Sequence, residues 1–175
     1  LKCWVGASTR TNQMHRREIL EHLWSPWRMT YIQGQKTEPG CVFCNAASVQ
    51  DGIENLIVWR GSEAFVILNR YPYTSGHVMV VPFAHYPALE PLGAGARAEM
   101  MELTTFALRV LQQVYWPQGF NVGINLGAAA GAGIAEHVHL HIVPRWQGDT
   151  NFMSSVAQTR VLPESLEETY RRIKQ

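Results

Sequence analysis

The chain has 175 residues, 46% hydrophobic and 17% charged, with 15 Lys+Arg against 14 Asp+Glu and a formal net charge of +1. That is ordinary composition for one globular domain able to bury a sizeable core. It offers no block of like charge for duplex nucleic acid and no apolar run near the roughly 18–20 residues that span a bilayer, so neither nucleic acid nor membrane is an expected partner.

In chain order, Leu1–Gln13 shows no hydrophobic periodicity and lacks the apolar core, about 7–15 residues long, of a secretory signal. The natural start is expected at Met14, which makes Cys3 incidental and leaves His15 and His22 as surface residues. Cys41-Val42-Phe43-Cys44, with no export signal, points to a reducing, cytoplasmic setting instead of a disulfide. Its spacing is also half of a structural zinc site, a spacing that redox pairs and buried cysteines share. Leu56–Arg60 and Ala64–Asn69 read as a hairpin turned at Gly61-Ser62. The turn residues Tyr71-Pro72-Tyr73-Thr74-Ser75-Gly76 introduce a third strand, His77–Pro82. Ala96–Tyr115 contains neither Gly nor Pro, and Met100, Leu103, Ala107, Val110, Leu111 and Val114 recur at helical spacing. Trp116-Pro117-Gln118-Gly119 stops that helix. Phe120–Leu126 and His137–Pro144 are the fourth and fifth strands, and Pro163 opens a last helix to Lys174. Short turns between strands and one long helix after the third predict an α+β fold, a five-stranded antiparallel sheet with helices on one face.

Three of the chain's seven histidines fall within His137–His141. In His137-Val138-His139-Leu140-His141-Ile142-Val143 the alternation has the period of a strand. Val138, Leu140 and Ile142 face the core, and the three imidazoles project from the other face, about 7 Å apart at a rise near 3.3 Å per residue. Such a row suits metal ligation, or a nucleophilic histidine held in one tautomer by its neighbours. A hydrolytic zinc usually wants a further ligand or a carboxylate base, yet Glu136 falls on the core side and Asp149 lies beyond the strand. What precedes the row is a small-residue loop, Gly127–Gly133, whose backbone N–H groups can converge on a phosphate.

The run His137–Val143 resembles the signature of the histidine-triad (HIT) superfamily of nucleotide hydrolases and transferases. Asn69–His77 followed by Val78-Met79-Val80-Val81-Pro82 resembles its upstream histidine strand, and Gly119–Asn125 its phosphate-side strand. Trp24-Ser25-Pro26-Trp27-Arg28 and Pro144–Phe152 are similar to the branch of diadenosine tetraphosphate phosphorylases and hydrolases. The match runs over residues 24–153, with 1–23 an N-terminal extension and 154–175 a C-terminal tail and helix.

The resemblance implies that His139 attacks the α-phosphorus of a dinucleoside polyphosphate to form a covalent nucleotidyl-histidine. His141 then faces the phosphate oxygens, and His77 adds an imidazole from the neighbouring strand. Asn125 and the backbone of Gly131 and Gly133 stabilise the developing charge. Water or inorganic phosphate completes a second displacement, with retention at phosphorus. Asn69 matches the position that binds the ribose hydroxyls, and can equally be a strand-end turn residue. Phe43 and Ile67 match positions lining the base pocket. Many members carry a side-chain donor four residues before the first triad histidine; Gly133 leaves only a backbone N–H, which argues against the phosphoramidase branch. The resemblance also supplies the rest of a zinc site, Cys41, Cys44, His85 and His137, closed and structural, with His137 serving the metal and not the substrate. It implies a homodimer in which two sheets join into one. The alternatives are a nucleoside phosphoramidase and a catalytically silent nucleotide-binding protein.

Overall fold

The computed structural model describes residues 39–149 and 164–175. The expected start at Met14, Cys3, His15, His22, the Trp24–Arg28 segment, the boundaries near residues 24 and 153, and Pro163 lie outside the described residues. Helix α1 (Val42–Ser48) leads into strands β1 (Ile57–Arg60), β2 (Ala64–Leu68) and β3 (Val78–Pro82), then helix α2 (Ala94–Tyr115), β4 (Gly119–Ile124), a 3₁₀ turn (Ala128–Ala130), β5 (Leu140–Arg145) and helix α3 (Leu166–Lys174). The five strands form one antiparallel sheet in the order β1-β2-β3-β5-β4. This is the α+β fold expected from the sequence, with α2 packed on β2, β3 and β5.

β2 and β3 are buried along their whole length, which is why they read as continuous apolar runs and not as alternating ones. α2 turns Ala96, Met100, Leu103, Thr104, Ala107 and Leu111 inward, a stripe at helical spacing. Each Leu or Met so buried contributes roughly 1.5–3 kcal/mol. The helix ends where Trp116 turns left-handed (φ 44°) and its N–H donates to Gln112 O, just before Pro117 forbids continuation. The other end of α2 holds the β1–β2 turn, where the Glu99 carboxylate accepts from the N–H groups of Ser62, Glu63 and Ala64. Gly76 in the turn before β3 has φ +76° and lies 3.0 Å, from where a Cβ would sit, to the Tyr115 ring. Both the backbone conformation and the space exclude a side chain there.

The elements depart from the sequence expectation in four informative places. α1 is a helix the pattern did not reveal. β5 begins at Leu140, not His137, because its ladder partners run out: Leu140 pairs with Ile124 and Val80, the last rungs on either side. The alternation therefore does not reach Glu136, which is exposed and not on the core side. For the same reason β4 stops at Ile124, and Asn125 lies past its end. α3 starts at Leu166, where the Ser165 hydroxyl caps Glu168 N–H.

Candidate active site

Strand register builds the site. Ile67, Met79, His141 and Gly123 are successive partners across β2, β3, β5 and β4, so they share one sheet face, opposite Val66, Val80, Leu140 and Ile124. Val138, Leu140 and Ile142 are buried in the core as expected. His139 and His141 line a cavity of about 720 Å³ on the other face, together with Phe43, Ile67, Asn69, Tyr73, Met79, Gly131 and Gly133. Of the residues expected to touch a substrate, Asn125 and His77 are not among those lining it.

His77 is 1% exposed and stands behind His141. Its Nδ1 accepts from Tyr73 N–H at 3.1 Å, so a neutral ring carries its proton on Nε2. That Nε2 lies 3.0 Å from Nδ1 of His141, which must then accept, placing the His141 proton on Nε2. His139 is set the opposite way. Its Nδ1 lies 2.9 Å from the His137 carbonyl, an acceptor only, so Nδ1 carries the proton and Nε2 keeps the lone pair. Burial pushes the His139 imidazole below its ordinary range, which favours the uncharged ring. Two adjacent rings, 4.8 Å between centroids, thus offer one nucleophilic nitrogen and one N–H donor.

Asn69 acts as a turn residue: its Oδ1 accepts from Tyr71 N–H at 2.9 Å and its own N–H donates to His77 O at 3.0 Å. It also lines the cavity. In the glycine loop, Gly131 (φ 89°) closes the 3₁₀ turn by donating its N–H to Ala128 O at 3.0 Å. Phe43 and Ile67 form apolar lining, with the Phe43 ring 5.0 Å from that of His139.

Two contributors were not anticipated. Tyr73 supplies the N–H that orients His77, and its ring lies 4.7 Å from that of His77. Its place four residues before His77, in a turn rich in Tyr and Pro, was the available signal. Asn55 accepts from Gly52 N–H and Ile57 N–H and donates to Ala46 O, which ties the end of α1 to the start of β1. A lone Asn in the sequence gives no hint of that.

Cys41, Cys44, His85 and His137 converge, with one ligand-type atom from each lying within 4.8 Å of all the others. His137 Nδ1 is 3.3 Å from Cys41 Sγ, 3.6 Å from Cys44 Sγ and 3.2 Å from His85 Nδ1, and Cys44 Sγ is 3.4 Å from His85 Nδ1. Zn–S near 2.3 Å and Zn–N near 2.05 Å in a tetrahedron require about 3.6 Å between S and N and about 3.3 Å between two nitrogens. The donor set fits that shape. His137 Nε2 lies 2.9 Å from Pro82 O; the carbonyl can only accept, so Nε2 carries the ring proton and donates, and Nδ1 turns its lone pair toward the cluster. Burial, above all, holds His137 below its ordinary range and raises the Cys44 thiol, with Cys41 adding to the latter. Both thiols are free of disulfide. The loop bearing His85 is held by Val138 N–H donating to Tyr86 O at 2.7 Å.

A pair of oppositely oriented imidazoles at the cavity, a glycine loop beside them and the sheet order together define a histidine-triad protein, and residues 50–148 match the HIT domain family. The chain belongs to that family. It is 41% identical over 164 residues, 89% of this chain and 84% of the other, to an AP-4-A phosphorylase of Mycobacterium tuberculosis (strain H37Rv). It is 34% identical over 93 residues to an asymmetrical bis(5'-nucleosyl)-tetraphosphatase of Schizosaccharomyces pombe, covering 53% of this chain and 50% of that one. Among solved structures it resembles a Zn-bound histidine triad family protein from Mycobacterium smegmatis, with a TM-score of 0.61 and 29% identity, covering 77% of this chain and 91% of that one. Among the described residues no helix is long and apolar enough to cross a membrane.

Proposed function

We propose that the protein cleaves dinucleoside polyphosphates of the diadenosine tetraphosphate type at an α-phosphate, by way of a covalent nucleotidyl-His139. The observation that carries this reading is the pair of opposed tautomers. His139 Nδ1–H is committed to the His137 carbonyl and leaves Nε2 to attack, while His141, oriented by His77, presents Nε2–H as a donor. Nε2 of His139 forms the P–N bond as the P–O bond to the departing polyphosphate breaks. His141 donates to the phosphate oxygens where charge develops. Water or inorganic phosphate then attacks the same phosphorus, the P–N bond breaks, and two inversions give retention. The similarity to an AP-4-A phosphorylase favours phosphate as the acceptor.

Phe43 and Ile67 line the base side of the cavity and Asn69 the ribose side. Gly133 supplies a backbone donor, while Gly131, whose N–H closes its own turn, shapes the loop. Asn125 and His77 act from outside the cavity lining. Cys41, Cys44, His85 and His137 hold a structural zinc, which takes no part in bond making. The partner is a second copy of the chain, joined along β4, the sheet edge at which Asn121, Val122 and Gly123 are exposed. The two free thiols fit a reducing, cytoplasmic compartment.

The test is incubation with diadenosine tetraphosphate, with and without inorganic phosphate. Nucleoside diphosphate formed only with phosphate identifies a phosphorylase; monophosphate plus triphosphate identifies a hydrolase. His139→Ala should abolish the nucleotidyl-protein adduct seen by mass spectrometry. Turnover of a nucleoside phosphoramidate alone, or nucleotide binding with no turnover, would replace this reading with one of the alternatives.

A further inference from the structure

The metal cluster and the cavity share their walls. α1 carries Cys41 at its N-cap and Cys44 in its first turn, and both reach the cluster. Between them Phe43 is 3% exposed, its ring 5.4 Å from that of His137 and 5.0 Å from that of His139. α1 forms one side of the cavity through Val42, Phe43, Asn45 and Ala46. On the other side of the cluster, His137 offers its ring nitrogen to the cluster and its carbonyl to His139 Nδ1.

A helix of seven residues does not hold itself in water. The C-terminal half of α1 is tied down by Asn55, which donates to Ala46 O, and by Arg60, which donates to Ala47 O and Val49 O. Among the described residues, its first turn meets the rest of the fold through the two thiols at the cluster and through the Phe43 side chain. The turn that presents Phe43 to the cavity is therefore the turn the metal would fasten.

We infer that the Cys41–Cys44–His85–His137 centre is a positioning device for the nucleotide cavity, so that metal occupancy and nucleotide affinity are coupled through Phe43 and the His137 carbonyl. This rests on the reading of the cavity as a nucleotide site. His137 thus serves both centres, one through its ring and the other through its backbone. The coupling is reciprocal: whatever factor zinc adds to nucleotide affinity, nucleotide must add to zinc affinity.

The test uses the zinc-loaded full chain. Zinc transfer to a coloured chelator is timed with and without saturating AMP, and transfer is expected to slow about tenfold with AMP. His85→Ala, whose side chain is exposed and absent from the cavity lining, should weaken zinc binding, and its AMP affinity should rise about tenfold as zinc is titrated back. Equal transfer rates in the wild type overturn the coupling even if stripped protein unfolds, since the timing is done on the folded holoprotein. An AMP affinity of His85→Ala that ignores added zinc also overturns it, as does a purified wild type that holds no zinc. A zinc-loaded wild type that binds no AMP refutes the nucleotide reading itself, a separate outcome.

Discussion

Replacing His77 with Phe isolates the orientation of His141 from the shape of the site. The phenyl ring keeps the packing against Tyr73 and His141, whose centroids lie 4.7 and 5.2 Å from that of His77. It removes the acceptor for Tyr73 N–H and the donor to His141 Nδ1, at 3.1 and 3.0 Å. Two partly buried hydrogen bonds at about 0.5–1.5 kcal/mol each give a loss of about 1–3 kcal/mol in folding stability, measurable by urea denaturation. In catalysis the donor to Nδ1 is what keeps the His141 proton on Nε2. That bias, worth about 1.4 kcal/mol, holds the wrong tautomer to about one molecule in ten; without it the two compete evenly, the competent form falls to about half and kcat drops about twofold. The ceiling is the roughly 10²–10⁴-fold loss expected when a proton donor is removed outright, as in His141→Ala. Because His77 is absent from the cavity lining, KM should barely move. His77→Gln, which has both an acceptor oxygen and a donor amide, should recover part of kcat. Wild-type kcat in His77→Phe, or a loss confined to KM, would refute the reasoning.

Two further predictions concern how the scaffold holds the site. Glu99 accepts from three backbone N–H groups, that of Ser62 having the largest effect, and these hold its carboxyl below the ordinary value of 4.5. A depressed folded pKa means that its contribution is full above pH 4.5 and is lost as pH falls through the lower folded value. Glu99→Gln should flatten the decline of stability below that pH, and Glu99→Ala should cost about 1 kcal/mol at neutral pH, modest because water reaches the turn; an identical acid profile in Glu99→Gln would count against the anchor. Tyr115, whose hydroxyl donates to Glu164 at 2.9 Å, is pushed up from 10.0 to about 12, mainly by burial. Here the folded pKa is raised, so its contribution is complete below pH 10 and fades as pH rises toward about 12. Tyrosinate absorbance should show a late step that Tyr115→Phe lacks; no difference between the two curves would mean the hydroxyl is not held as described.

The pattern of residue types alone was enough to place five strands and the long helix, because burial imposes period 3.6 on the helix, period 2 on the histidine strand and short continuous apolar runs on β2 and β3, which are buried on both faces. It was also enough to pick out the row of three histidines and the Cys-x-x-Cys pair, since their spacing is local, whereas the choice of His139 among the three came from the family resemblance. α1 escaped notice because seven residues are too few to show a period, and its reason for being helical lies in contacts from Asn55, Arg60 and the thiol cluster. The register decided what spacing could not. It set Met79 beside His141, which brings His77 behind the triad as an orienting group and away from the cavity. Tautomers, too, are a tertiary property, since each depends on which carbonyl or N–H from elsewhere in the chain meets a ring nitrogen. A row of three equivalent imidazoles in the sequence is therefore three different groups in the fold: a ligand-type nitrogen at His137, a lone pair at His139 and a proton at His141.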